Sequence, residues 1–100
     1  MIKHIILWTL KPEHNTPEIK QGMKQGLEAL VGVVPGLLEL QVEISPLASS
    51  NVDVMLYSVL ESEDALKGYA VHPAHVEAAN TLVRPYTAMR ACMDFIVTER

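Results

Sequence analysis

The sequence is short of the features that mark nucleic-acid binding, disulfide frameworks, nucleotide cofactors and membranes. Only 8 residues are Lys or Arg, against 12 Asp or Glu, and they are scattered, for a net charge of −4. No basic stripe exists to neutralise phosphates, so no nucleic-acid partner is expected. One cysteine, Cys92, allows no internal disulfide and suits a reducing cytoplasm. With no sign of a paired base, Cys92 reads as an ordinary buried thiol in a strand. The absence of a glycine-rich phosphate loop leaves nucleotides unsupported, and no cofactor is expected. The apolar run from Ile5 to Trp8 is far shorter than the ~20 residues that cross a bilayer. It also lacks the charged start and cleavage site of a signal peptide. A soluble, cytoplasmic protein with no membrane partner is the expectation.

Apolar residues, by contrast, make up 49% of the 100 residues. That length suits a single domain over residues 1–100. So small a domain buries a modest share of its surface, and an interface between copies would take up the surplus.

Residues 2–10 (IKHIILWTL) are rich in β-branched and aromatic types and predict a strand. One face carries Ile2, His4, Ile6, Trp8 and Leu10, the other Lys3, Ile5, Leu7 and Thr9. Both are apolar in the middle, which implies burial on both sides. Thr16-Pro17-Glu18 opens a helix with a cap, a first-turn proline and an acid at the positive end. Ile19, Met23, Leu27, Leu30, Val31 and Val34 form its apolar stripe, and Val34-Pro35-Gly36 is expected to end it. Residues 37–44 alternate as a half-buried strand, with Leu38, Leu40, Val42 and Ile44 inward and Glu39, Gln41 and Glu43 outward. A loop follows over 45–51, then a third strand over 52–60. Ser62 caps a helix bearing Ala65, Leu66 and Tyr69, which His72-Pro73 interrupts. Pro73 opens another helix carrying His75, Val76, Ala79, Leu82 and Val83, which ends near Arg84-Pro85. Residues 91–98 form the last strand.

This order, strand–helix–strand–strand–broken helix–strand, is an α+β, ferredoxin-like βαββαβ arrangement with an antiparallel four-stranded sheet. Helices cover one face only. Ile5, Leu7 and one face of the third strand would then meet water in a monomer, and an apolar face of that extent marks an association surface. Two sheets packed face to face give a two-fold homodimer and a dimeric α/β barrel.

His4, Tyr69, His72 and His75 fall where this topology could gather them, whereas His14 sits in a charged loop and reads as solvated. Each has a plainer reading beside the functional one. His4 alone suits a core histidine with satisfied nitrogens, and His72 suits a helix cap beside Pro73. His75 alone is balanced between structure and chemistry. Tyr69 alone suits core packing with its hydroxyl at the edge. Converging polar groups in an apolar pocket are nevertheless costly to keep without a use. An imidazole can take and return a proton near neutral pH. A tyrosine hydroxyl can donate to a carbonyl oxygen as it becomes an enolate. The set suits proton abstraction next to a carbonyl. Three imidazoles can also bind zinc, so a His4, His72 and His75 site stays open, but no ligand spacing supports it and no metal is expected.

Lys3-His4-Ile5-Ile6-Leu7 in the first strand, Val34-Pro35-Gly36, Glu61-Ser62-Glu63-Asp64-Ala65-Leu66 leading to Tyr69, His72-Pro73-Ala74-His75-Val76, and Met93-Asp94-Phe95 follow one another in a specific order. In this order they resemble the stress-responsive A/B barrel (Dabb) family over nearly the whole chain. The resemblance implies a dimeric α/β barrel with a small pocket between sheet and helices. It extends more distantly to the plant polyketide cyclase that makes olivetolic acid by an aldol condensation. By that likeness His75 matches the general base, Tyr69 its partner and His4 the first-strand histidine, so these three are the implied catalytic residues. His72 matches a supporting position. Met23 and Leu27 stand where the cyclase has aromatic pocket residues, and Trp8 is bulkier than its counterpart. His72, Trp8, Met23 and Leu27 are thus the implied binding residues. The chemistry implied is a cofactor-free aldol-type cyclisation or isomerisation of a small keto compound. The alternative is a non-catalytic, ligand-binding or stress-protective dimer. A cofactor-free monooxygenase rests on analogy of fold alone.

Overall fold

A computed structural model describes residues 1–97. Strand β1 (Ile2–Leu10) alternates strictly: Ile2, His4, Ile6, Trp8 and Leu10 are buried and the residues between them half-buried. After a short 3₁₀ turn (Pro12–His14), helix α1 (Pro17–Glu28) begins where Thr16 accepts a hydrogen bond from the Ile19 amide. Strand β2 (Leu37–Glu43) and strand β3 (Val54–Leu60) follow. Helix α2 (Glu63–Val71) is capped by Ser62, and helix α3 (Pro73–Ala78) by His72. A π-helical turn (Ala79–Val83) leads to strand β4 (Thr87–Ile96).

The four strands lie in the order β2-β3-β1-β4, and every neighbouring pair is antiparallel. This is the ferredoxin-like βαββαβ fold. Met23, Leu27 and Leu30 from the α1 segment meet Ile6, Trp8, Val42, Val54, Leu56 and Leu60 from the sheet in one core, which Tyr69 joins from α2. Burying an aliphatic side chain of this size contributes about 1.5–3 kcal/mol. Among the described residues no helix is long and apolar enough to cross a membrane.

Several boundaries differ from the expected ones. Helix α1 stops at Glu28 rather than at Val34-Pro35-Gly36. Turns replace it, with Gly32 in the left-handed region at φ +89°. Leu30 and Val34 still reach the core from those turns, but Val31 is exposed. In β2 the register to β3 slips between Leu37 and Glu39. The extra residue turns Leu37 into the core and leaves Leu38 45% exposed, which corrects the expected inward face at that position. Strand β3 starts at Val54 instead of residue 52, because Asp53 is held by Leu10, its carboxylate accepting from that amide at 2.8 Å. Strand β4 starts at Thr87, four residues before the expected 91; the expected end at Thr98 lies outside the described residues.

Candidate functional site

Among the described residues strand β4 pairs only with β1, and the helices stop short of it, so a cleft opens between the sheet, α2, α3 and the π turn. This cavity has a volume of about 420 Å³. Ile6, Trp8, Leu27 and Leu56 form its apolar floor, with Tyr69 and His75 on the helical side and Arg84 and Arg90 at the exposed mouth.

His75 and Tyr69 are held together by the helix break. Tyr69 lies two residues before the end of α2, and Pro73 restarts the chain so that His75 falls back over the tyrosine. Their ring centroids are 4.2 Å apart. The His75 Nδ1 lies 3.2 Å from the Ala70 carbonyl oxygen, which can only accept, so Nδ1 carries the proton. Nε2 is left with the free lone pair. Burial holds the imidazole below its usual pKa; the Ala70 hydrogen bond acts the other way, while Arg84, His4 and Arg90 lower it further. Burial also pushes the Tyr69 hydroxyl up to about 12, with Arg90 only partly offsetting it. The Tyr69 ring is 2% exposed, and its hydroxyl is buried with no hydrogen-bond partner among the described residues.

His4 stands behind Tyr69, edge-on at 5.9 Å between centroids, and is not part of the cavity wall. Its Nδ1 is hydrogen-bonded to the Asp94 carboxylate, which faces it across the β1–β4 pairing. Ser58 Oγ donates to the His4 carbonyl oxygen at 3.0 Å. His4, one of the three residues that the resemblance implies are catalytic, therefore stands one layer behind the cavity wall.

The other expected residues divide. Trp8 and Leu27 line the cavity. Met23 is wholly buried in the core and does not. His72 is turned away: its Nδ1 accepts from the Ala74 amide at 3.1 Å, and its side chain borders a separate depression with Pro35 and Gly36. The three imidazoles considered for zinc therefore do not converge. A different set does, since donor atoms of His4, Cys92 and Asp94 lie within 4.8 Å of one another and could hold a divalent ion. Cys92 is exposed rather than buried, because no helix covers that side of β4. Partial burial and the Asp94 carboxylate push its thiol up, against the pull of Arg90. His14, expected to be solvated, packs edge-on against Tyr86 with centroids 5.0 Å apart.

Arg84, Arg90 and Asp94 are the site residues that sequence reasoning missed. A signal existed for Asp94, a lone acid in the otherwise apolar run ACMDFIV. None pointed to the arginines, whose place depends on the π turn and the β1–β4 register.

Comparison with known proteins agrees with this architecture. The profile of the Stress responsive A/B Barrel Domain (Dabb) matches residues 2–97. Among curated proteins no sequence matches the chain. A dimeric protein of unknown function and ferredoxin-like fold from Bacteroides fragilis superposes with a TM-score of 0.85 at 28% identity, covering 94% of this chain and 93% of that one. A dimeric ferredoxin-like protein of unknown function from Thermobifida fusca gives 0.84 at 27% identity, with 96% and 90% covered. A hydroxynitrile lyase from Passiflora edulis gives 0.82 over 99% and 94%, but at 13% identity it speaks for the fold alone. With a family match over residues 2–97 and the ferredoxin-like sheet described above, the chain belongs to the stress-responsive A/B barrel domain family.

Proposed function

We propose that the protein is a cofactor-free enzyme that removes and returns a proton next to a carbonyl group in a small keto compound, and that it works as a homodimer. The observation that carries this reading is the pairing of a buried, unpartnered Tyr69 hydroxyl with a His75 whose Nδ1 is engaged. A hydroxyl without a partner costs about 1–3 kcal/mol, and a substrate carbonyl would satisfy it. In the proposed step, Nε2 of His75 takes a proton from the carbon beside the carbonyl. The electron pair of that C–H bond moves to form the enolate, whose oxygen accepts the Tyr69 O–H. The enolate carbon then attacks a second carbonyl, whose oxygen takes the proton back from the imidazolium, as in an aldol closure, or the enolate takes that proton at another position, as in an isomerisation. Burial supports both roles, keeping the imidazole neutral and the phenol protonated near pH 7. Asp94 and His4 would steady the Tyr69 ring from behind. The dimer is supported by the apolar open face of the sheet and by the dimeric state of the Bacteroides and Thermobifida neighbours.

The test is deuterium uptake from D₂O into a panel of β-dicarbonyl and related keto compounds, followed by NMR, with wild type against His75→Ala. Uptake should fall about 10²–10⁴-fold in the variant. In wild type it should persist on the acid side to below about pH 6.5, since burial disfavours the imidazolium. Uptake that survives in His75→Ala removes the assignment. Saturable binding with no uptake across the panel would instead favour a ligand-binding dimer.

A further inference from the structure

The cavity carries a charge pattern that the proton-transfer chemistry alone does not need. Among the described residues its charged lining consists of Arg84 and Arg90, although the chain has 12 acidic residues to 8 basic ones. Among the described residues neither arginine forms an ion pair. Arg84 donates to the Asn80 side chain and keeps most of its five N–H donors for other partners. The two come from separate elements. Arg84 directly follows the π turn, its amide bonded to the Ala79 carbonyl at 2.8 Å, and π turns often mark functional sites. Arg90 lies on β4 opposite Trp8 in the β1 pairing, on the helix-facing side of the sheet. Both guanidinium groups act on His75, and Arg90 acts on Tyr69 as well, so the positive mouth and the reacting pair share one chamber.

A guanidinium offers paired donors that match a carboxylate better than any neutral group. Two of them over an apolar floor, with no acid among the described lining residues, suit a bound anion. We propose that the cavity takes small keto acids, with Arg84 and Arg90 holding the carboxylate at the mouth while the carbonyl lies against Tyr69 and His75. The keto half of this statement rests on the enolising reading above, whereas the carboxylate half rests on the arginines. At about 420 Å³ the space suits a compact acid.

The test uses a series of 4-oxo acids of increasing chain length and their methyl esters, each measured by calorimetric binding and by deuterium uptake. Wild type should bind the acids about tenfold or more tightly than the esters, as charge-assisted hydrogen bonds imply. An Arg84→Gln/Arg90→Gln double variant with an unchanged melting temperature should lose the preference, and Arg90→Lys should keep part of it. Equal binding of acids and esters, a preference that survives the double substitution, or no binding of any acid at millimolar concentration overturns the proposal. The two readings fail separately. Arginine-dependent acid binding without His75-dependent uptake keeps the anion subsite and removes the enolising chemistry. His75-dependent uptake on acids and esters alike does the reverse.

Discussion

A tyrosine hydroxyl is normally paired when it is buried, yet that of Tyr69 has no partner among the described residues and sits beside an imidazole with one free nitrogen. If the hydroxyl served packing, removing it would cost stability. If it waits for a substrate, its loss relieves an unsatisfied group. Tyr69→Phe should therefore leave the free energy of unfolding unchanged or raise it by about 1 kcal/mol. Deuterium uptake into a keto substrate should fall about 10²-fold or more, the scale of losing one oxyanion donor. Urea unfolding and the NMR exchange assay read the two effects on the same sample. A destabilised variant that still exchanges at the wild-type rate would assign the hydroxyl to structure. The pairing of Tyr69 with His75 was legible in the sequence because the two lie six residues apart across a proline break. The position of His4 behind Tyr69 was not, since it depends on Asp94 meeting it from a strand 90 residues away.

Edge strands need their outward amides and carbonyls occupied, and for β2 that task falls to the end of α1. Glu28 accepts from the Val42 amide at 2.9 Å and from Lys24 Nζ at 2.8 Å, while Lys24 also donates to the Val42 carbonyl at 2.7 Å. One ion pair on the helix thus closes both backbone groups of a residue on the sheet edge. Burial pushes the Glu28 carboxyl up, but the Lys24 and Val42 contacts outweigh it and hold the group below the usual carboxylate range. A carboxylate with a lowered folded pKa stabilises the protein above its unfolded value, about 4.3, and loses that contribution as the pH falls. Glu28→Ala should lower the urea midpoint by an amount equivalent to about 1 kcal/mol at pH 7, with an unchanged slope. The gap between variant and wild type should narrow toward pH 4. An equal gap at both pH values would mean that helix propensity, not the contact, is responsible. Elements of this kind were readable where a local rule governs them. Thr16, Ser62 and Pro73 mark helix starts by their own chemistry, and the alternation in β1 survives in the fold. The bulge at Leu37–Glu39 was hidden because Leu37 and Leu38 are both leucine, so either register satisfies the pattern. Cys92 was misjudged for a tertiary reason: a strand residue is buried only if something covers it, and the helices end before β4.

At the scale of the whole molecule, the sheet has two faces and the helices occupy one. The open face carries Ile5 and Leu7 from β1, Met55 and Tyr57 from β3, and Met89, Ala91, Met93 and Phe95 from β4, on adjacent pleats. On the edge strand β4, Met93 is 66% exposed and Phe95 38%, a high exposure for large apolar side chains that share one face with Ile5 and Leu7. Polar residues are confined to its margins, where Glu39, Gln41 and Glu43 line the β2 edge and Lys3 lies over the Tyr57 ring. An apolar centre with a polar rim is the anatomy of an interface, and a two-fold contact of this face with itself would bury it without new chemistry. The proposed homodimer then predicts a particle of about twice 11.1 kDa in sedimentation at micromolar concentration. Leu7 pairs with both Met55 and Ala91, so it sits at the centre of the patch. Leu7→Glu would place a charge from each copy into that contact, and unpaired buried charges cost several kcal/mol. The dissociation constant should rise about 10²-fold or more, while Lys3→Gln at the margin should leave it within about threefold. Leu7 does not line the cavity, so ligand binding should be retained in the dissociated variant if the site is complete within one chain. A wild-type monomer at that concentration would sink the dimer. A dimer indifferent to Leu7→Glu would move the contact to another surface, and the exposed face of β4 beside Cys92 would be the next to probe.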